Sequence, residues 1–146
     1  MNSNIKLMMA LQKLNLSFIE KAEKNIGRLG ISVTEFLILA HLNLKDVEKT
    51  QKLGEIANIT SGTITYTVNK LVQRGYVRQY QDDNDRRIFM ISITEAGRNL
   101  YKTVFDEHLI FLNKMLSGIN EDEKINLIEQ LNQLEKSINM NQRNFS

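Results

Sequence analysis

The chain has no cysteine among its 146 residues. A disulfide, a thiolate metal site and a thiol redox switch are therefore excluded. No apolar run approaches 18 residues, so no stretch reads as a membrane span. The opening segment MNSNIKLMMALQKLNLSFIEK has only short apolar runs and no small-residue cleavage signature, unlike a signal peptide. Catalytic signatures are missing too: there is no Gly-rich phosphate loop, no His-Glu-x-x-His pair and no Gly-x-Ser-x-Gly elbow. Ser61 has no sequence partner for a triad. Asp82, Asp83 and Asp85 lack the closing Glu of a calcium loop. Two histidines and scattered carboxylates do not make a metal site, and no cofactor is expected. These absences point to a cytoplasmic protein that is not an enzyme.

What is present is globular. An apolar fraction of 42% with 25% charged residues excludes wholesale disorder. A chain of this length forms one domain that buries about two-thirds of its unfolded surface. The net charge of +2 is small, but it is unevenly distributed. From Thr60 to Gln81 the chain carries Lys70, Arg74 and Arg78 and no acidic residue. Such a stretch suits a surface that approaches phosphates, although an ordinary solvated basic face would look the same.

Periodicity predicts helices at both ends with a compact α/β unit between them. Residues 5–26 set Met8, Leu11, Leu14, Phe18, Ala22 and Ile26 on one stripe. Gly27 to Gly30 interrupts it, and Ser32-Val33-Thr34-Glu35 is a capping box opening a helix to about Leu44. Lys45 to Thr50 reads as a polar connection. A short helix over 51–58 turns Leu53, Ile56 and Ala57 inward. After a turn at Asn58-Ile59, Thr60-Ser61 caps a helix to about Arg74, and Gly75 is its left-handed stop. Then the period changes to two: Tyr76 to Tyr80 and Ile88 to Ile93 alternate around a polar tip, which is a β-hairpin. Thr94 caps a helix to about Leu116, with Leu100, Val104, His108, Leu112 and Met115 on one face. Asn120 caps the last helix, whose acidic first turn suits its dipole. The fold class is mainly α with a small β-hairpin wing, a winged helix-turn-helix.

A helix that enters the major groove hides one face and offers short polar side chains on the other. In the helix from Thr60 to Arg74, Ile64, Val68, Leu71 and Val72 are expected to be buried. The opposite face carries Gly62, Thr63, Tyr66, Asn69, Lys70 and Gln73; Ser61, Thr63 and Thr65 can hydrogen-bond bases or phosphates, and Lys70 suits a phosphate. A plain surface helix carries more Glu and Lys and fewer threonines. The hairpin tip adds Asp85, Arg86 and Arg87 as a second contact. Arg87 is the expected minor-groove probe, and Asp85 directs it by a charge-assisted hydrogen bond.

These residues carry a family likeness. The run Leu53 to Ala57, the run Ile59 to Tyr66, the run Lys70 to Arg78 and the segment Asp82 to Arg87 closing in Ile93-Thr94-Glu95-Ala96-Gly97 resemble the MarR family of bacterial regulators. The likeness spans essentially the whole chain, and the wing signature is its most specific part. Ser61 to Tyr66 is similar to the branch responsive to hydroquinones and related phenolics. Many members have proline in the wing tip, where this chain has Asp83.

The resemblance implies one MarR-type domain over 1–146. Residues 32–94 would bind DNA, and the helices of 1–30 and 95–146 would form a homodimer over a pseudo-palindromic double-stranded operator. It implies a repressor, nucleoid-associated through its DNA and without a membrane partner. It further implies a small phenolic or aromatic effector, for which Phe18, Phe36, His41, Tyr66, Phe105 and His108 are candidates. Core packing is the competing reading for the phenylalanines and for His108. The competing function is a helical homodimeric protein-interaction module that does not bind DNA.

Overall fold

The computed structural model describes residues 1–142. These fall into two compact units, Met1–Leu109 and the segment from Ile110 onward. Helix α1 spans Ser3–Gly27 behind an Asn2 cap. The chain then reverses through Gly30, whose φ of +87° is the left-handed region that glycine enters without a Cβ clash. Helix α2 (Val33–Lys45) opens with the capping box the sequence predicts. Ser32 Oγ accepts from the Glu35 N–H at 3.0 Å, and Glu35 Oε2 accepts from the Ser32 N–H at 3.1 Å.

The polar connection after α2 is in fact a strand. Val47–Lys49 forms β1, which pairs antiparallel with the second hairpin strand. Three residues are too few to show an alternating pattern, and the ladder is supplied by a partner more than 40 residues away. Helices α3 (Thr50–Ile56) and α4 (Ser61–Gln73) follow, with Asn58 at φ +53° in the turn between them. Gly75, at φ +79°, ends α4 as expected. The hairpin strands are β2 (Val77–Gln81) and β3 (Phe89–Ile93). The sheet order is β1-β3-β2, with Val77 opposite Ile93 and Gln81 opposite Phe89. Helices α5 (Glu95–Met115) and α6 (Glu121–Asn141) follow, and Asn120 and Glu123 form a second capping box.

The core lies inside the first unit. Ile26 and Ile31 meet Ile38, Leu39 and Leu42 of α2, Leu53 of α3, the α4 residues Ile64, Val68 and Leu71, and Val77, Ile91 and Val104. Two inward assignments need correction. Ile56 and Val72 are each 37% exposed. Thr67 takes the inner position beside Val68 instead, its hydroxyl donating to the Thr63 carbonyl at 2.8 Å. That internal bond satisfies the hydroxyl, which lets a polar residue sit on the buried side. On α1 only Ala22 and Ile26 are buried, while Met8, Leu14 and Leu16 stay exposed.

The base of the wing is tied to α5 by a tight junction. Thr94 Oγ1 donates to the Gly75 carbonyl at 2.6 Å and accepts from the Gly97 N–H at 3.1 Å. Arg98 donates to the Asn43 carbonyl at 3.2 Å and also binds the Asp46 carboxylate, joining α5 to the end of α2. A Cβ on Gly97 would lie 2.1 Å from the Tyr76 carbonyl oxygen, far inside contact distance. Gly97→Ala gains up to about 1 kcal/mol of helix propensity, but steric overpacking typically costs about 1–3 kcal/mol. The expected outcome is a lower urea midpoint; a midpoint equal to or above that of the parent would contradict this packing.

Candidate nucleic-acid interface

The candidate surface begins at the N-terminus of α4. Thr60 Oγ1 accepts from the Thr63 N–H at 3.4 Å and shares a 3.0 Å hydrogen bond with the Thr63 hydroxyl. Thr65 donates to the Ser61 carbonyl at 3.0 Å. The buried side of α4 anchors it, and Ser61, Gly62, Thr63, Thr65, Tyr66, Asn69 and Lys70 are all exposed on the other. A Cβ on Gly62 would meet nothing within 4 Å, so the protein's own packing does not require glycine there. Free backbone N–H groups and the positive end of the helix dipole favour an anion at this end.

The wing tip is shaped by its acids. Asp82 accepts from the Asn84 N–H at 3.1 Å, and the Ile88 N–H closes the turn on the Asp85 carbonyl at 2.9 Å. Asp85 also holds Arg87 three times: the backbone N–H at 3.0 Å, Nε at 3.1 Å and Nη2 at 3.2 Å. These bonds to the Arg87 side chain and backbone hold the Asp85 carboxyl below its ordinary value of 3.8. The pair therefore stays ionised throughout the neutral range. Arg87 itself is 91% exposed, a directed guanidinium with one face in water. Arg86 is exposed beside it, and its carbonyl accepts from Gln81 Nε2 at 3.1 Å. Between the start of α4 and the wing lies a cleft of about 790 Å³ lined by residues including Thr60, Ser61, Thr65, Arg87 and Phe89. The start of α4 and the wing thus border one concave surface.

Sequence reasoning missed a buried carboxylate packed against α4. Glu35, only 2% exposed, lies 3.4 Å from Lys70 Nζ and 3.6 Å from Arg74 Nη1. The capping box explains its hydrogen bonds to Ser32 but conceals its second task, because both cations come from α4 and its end, more than 30 residues later. Lys70 also sits over the Tyr66 ring at 5.7 Å.

The aromatic candidates divide. Phe36 stacks on Tyr101 with centroids 5.5 Å apart and meets the edge of His108 at 5.9 Å, while Tyr101 contacts Phe105 at 5.7 Å. His108 Nδ1 lies 2.7 Å from Asn25 Oδ1. His41 stands apart from this group: its Nε2 is 3.0 Å from Glu48 of β1. Phe18 is 36% exposed on α1. The cleft beside the wing is lined by none of these five residues.

A buried-faced helix, its preceding partner helix and a charged hairpin define a winged helix-turn-helix DNA-binding protein. A family profile described as MarR family matches residues 31–89. The chain is 30% identical over 142 residues to the HTH-type transcriptional regulator MhqR of Bacillus subtilis, covering 97% of this chain and 95% of that protein. Its fold is similar to that of the transcriptional regulator BldR from Sulfolobus solfataricus, with a TM-score of 0.83, 28% identity, and coverage of 94% and 99%. A mutant MarR from E. coli complexed with operator DNA shares the fold at a TM-score of 0.77, with 19% identity and coverage of 91% and 96%. The chain belongs to the MarR family of transcriptional regulators. Among the described residues no helix is long and apolar enough to cross a membrane.

Burial holds the His108 imidazole below its ordinary value of 6.5. Between the two values the unfolded chain binds the proton and the folded chain does not. The stability tied to neutral His108 is thus complete at pH 7 and declines as pH falls through about 6.5. Urea unfolding between pH 7 and 5.5 should show a shallower loss for His108→Gln than for the parent. Parallel pH profiles would show that His108 titrates alike in both states.

Proposed function

We propose that the protein is a homodimeric repressor that holds two winged units over a pseudo-palindromic operator in the cytoplasm. The carrying observation is the shared concave surface formed by the start of α4 and the Asp85-directed Arg87. Ser61, Gly62, Thr63, Thr65, Tyr66 and Asn69 face base edges and nearby phosphates in the major groove. Arg87, with Arg86 beside it, reaches the minor groove, where a narrow groove concentrates negative potential. Lys70 shares that side of α4, but its ammonium already has the Glu35 carboxylate beside it.

Exposed apolar surface supports the dimer. Helix α1 leaves Met8, Leu14 and Leu16 in solvent, and α6 leaves Ile125, Ile128, Leu131 and Ile138. Surface of that kind marks an interface, which gives residues 1–30 and 95–146 the dimerisation role around a DNA-binding unit of 32–94. A two-fold dimer then reads half-sites about 34–36 Å apart. The effector reading is a small phenolic or quinol-like ligand that favours one of two dimer arrangements. Its support is the Phe36, Tyr101, Phe105 and His108 cluster together with the likeness of Ser61 to Tyr66 to the hydroquinone-responsive branch. With no cysteine, any quinone response proceeds without thiol alkylation.

The test uses the upstream region of the protein's own gene as duplex DNA, with binding followed by anisotropy at fixed salt. Arg87→Ala should weaken binding at least tenfold while sedimentation still reports a folded dimer; unchanged affinity removes the wing from the interface. A phenol series titrated onto the complex should release the DNA. If no phenol both stabilises the protein and releases DNA, the effector reading fails while the DNA reading stands.

A further inference from the structure

The stretch Thr60 to Gln81 is free of acid in sequence but not in space. Glu35 reaches it from the first turn of α2 and is buried against it. Its two oxygens divide the work. Oε1 lies 3.4 Å from Lys70 Nζ, while Oε2 accepts from the Ser32 N–H and lies 3.6 Å from Arg74 Nη1. Arg74 is held on two further sides. Its Nη2 donates to the Gly30 carbonyl at 3.0 Å, and its guanidinium lies 5.0 Å from the centre of the Tyr76 ring. Two of the three cations of this stretch are thus engaged from within the protein.

Such engagement has a direct consequence for DNA. Each cation that neutralises a phosphate releases counterions and adds affinity for any sequence alike. Cations on a recognition helix therefore raise non-specific binding and lower the ratio of specific to non-specific affinity. A buried carboxylate is costly unless paired, so Glu35 in turn keeps its two partners close.

We propose that Glu35 is a positioning and specificity-determining residue: it holds Lys70 and Arg74 off the phosphate backbone and so suppresses sequence-independent binding. This rests on the DNA-binding reading above. Ser32 capping does not account for the pairing, since the box needs only an acceptor at this position, and a glutamine supplies one.

Glu35→Gln keeps that acceptor and removes the charge. Binding to random-sequence duplex is measured from 50 to 200 mM salt. The slope of log K against log salt should steepen by about 0.9 per freed cation, up to about 1.8 per protomer. Non-specific affinity at the low-salt end should rise several-fold, and the specific-to-non-specific ratio should fall. A slope equal to or shallower than the parent's overturns the proposal, because loss of a merely structural contact would lower affinity without steepening it.

A second measurement needs neither the variant nor DNA. Reductive methylation of the wild-type protein, read by mass spectrometry, should modify Lys70 several-fold more slowly than exposed Lys45. Equal rates overturn the proposal even if Glu35→Gln does not fold. Failure of the wild-type protein to bind any duplex would instead count against the DNA-binding reading, and the methylation result would still stand.

Discussion

One packed face of one helix sets the geometry of the rest. Ile64, Val68 and Leu71 of α4 are at most 2% exposed, and they meet side chains from α2, α3 and the first residue of the wing. An α4 rotated by a single residue, about 100°, would move these three out of the core and push polar side chains into it. The outward direction of Ser61, Thr65 and Asn69 is therefore fixed by apolar packing on the far side of the same helix. Gly54 belongs to this constraint: a Cβ there would already touch Ile64 at 3.4 Å, so α3 can cross α4 closely.

The electrostatics complement that packing. Three cations near the proposed DNA-facing surface are each held by a particular carboxylate. Asp85 directs Arg87 outward by two side-chain bonds, while Glu35 keeps Lys70 and Arg74 back. The two carboxylates do opposite things because one is buried and the other lies at an exposed tip. A buried acid draws its partners toward the protein; one at the wing tip, bonded edge-on, leaves the far side of the guanidinium facing water.

Most elements could be read from local chemistry. The Ser32 capping box, the Asn120 cap, the left-handed Gly75 and the change of period after it are each written in a few adjacent residues. What sequence could not show depends on distant partners. Strand β1 exists because β3 offers it a ladder, and Glu35 meets Lys70 and Arg74 only after α2 packs on α4. A charge count along a segment counts neighbours in the chain, and so it registered three unopposed cations where the folded protein opposes two. Val72 and Ile56 were misplaced for a related reason. Helical spacing gives the centre of a buried stripe well, but its edges depend on which neighbour covers them. On the aromatic side the sequence supplied Phe36, Phe105 and His108 but omitted Tyr101, the ring that contacts both Phe36 and Phe105.

The outward side of α4 has a bearing on how such a protein diverges. Its side chains are exposed, the hydroxyls of Thr63 and Thr65 bond within the helix and its cap, and Gly62 has empty space around it. In the proposed reading, the residues that would meet DNA are thus separate from those that hold the fold, on opposite sides of one helix. On that reading, a copy made by gene duplication can change its preferred site by substitutions at 61, 62, 65 or 69 with little loss of foldedness. The tight junction at Gly97 has no such freedom. Regulatory identity can drift quickly here, while the scaffold beneath it stays nearly still.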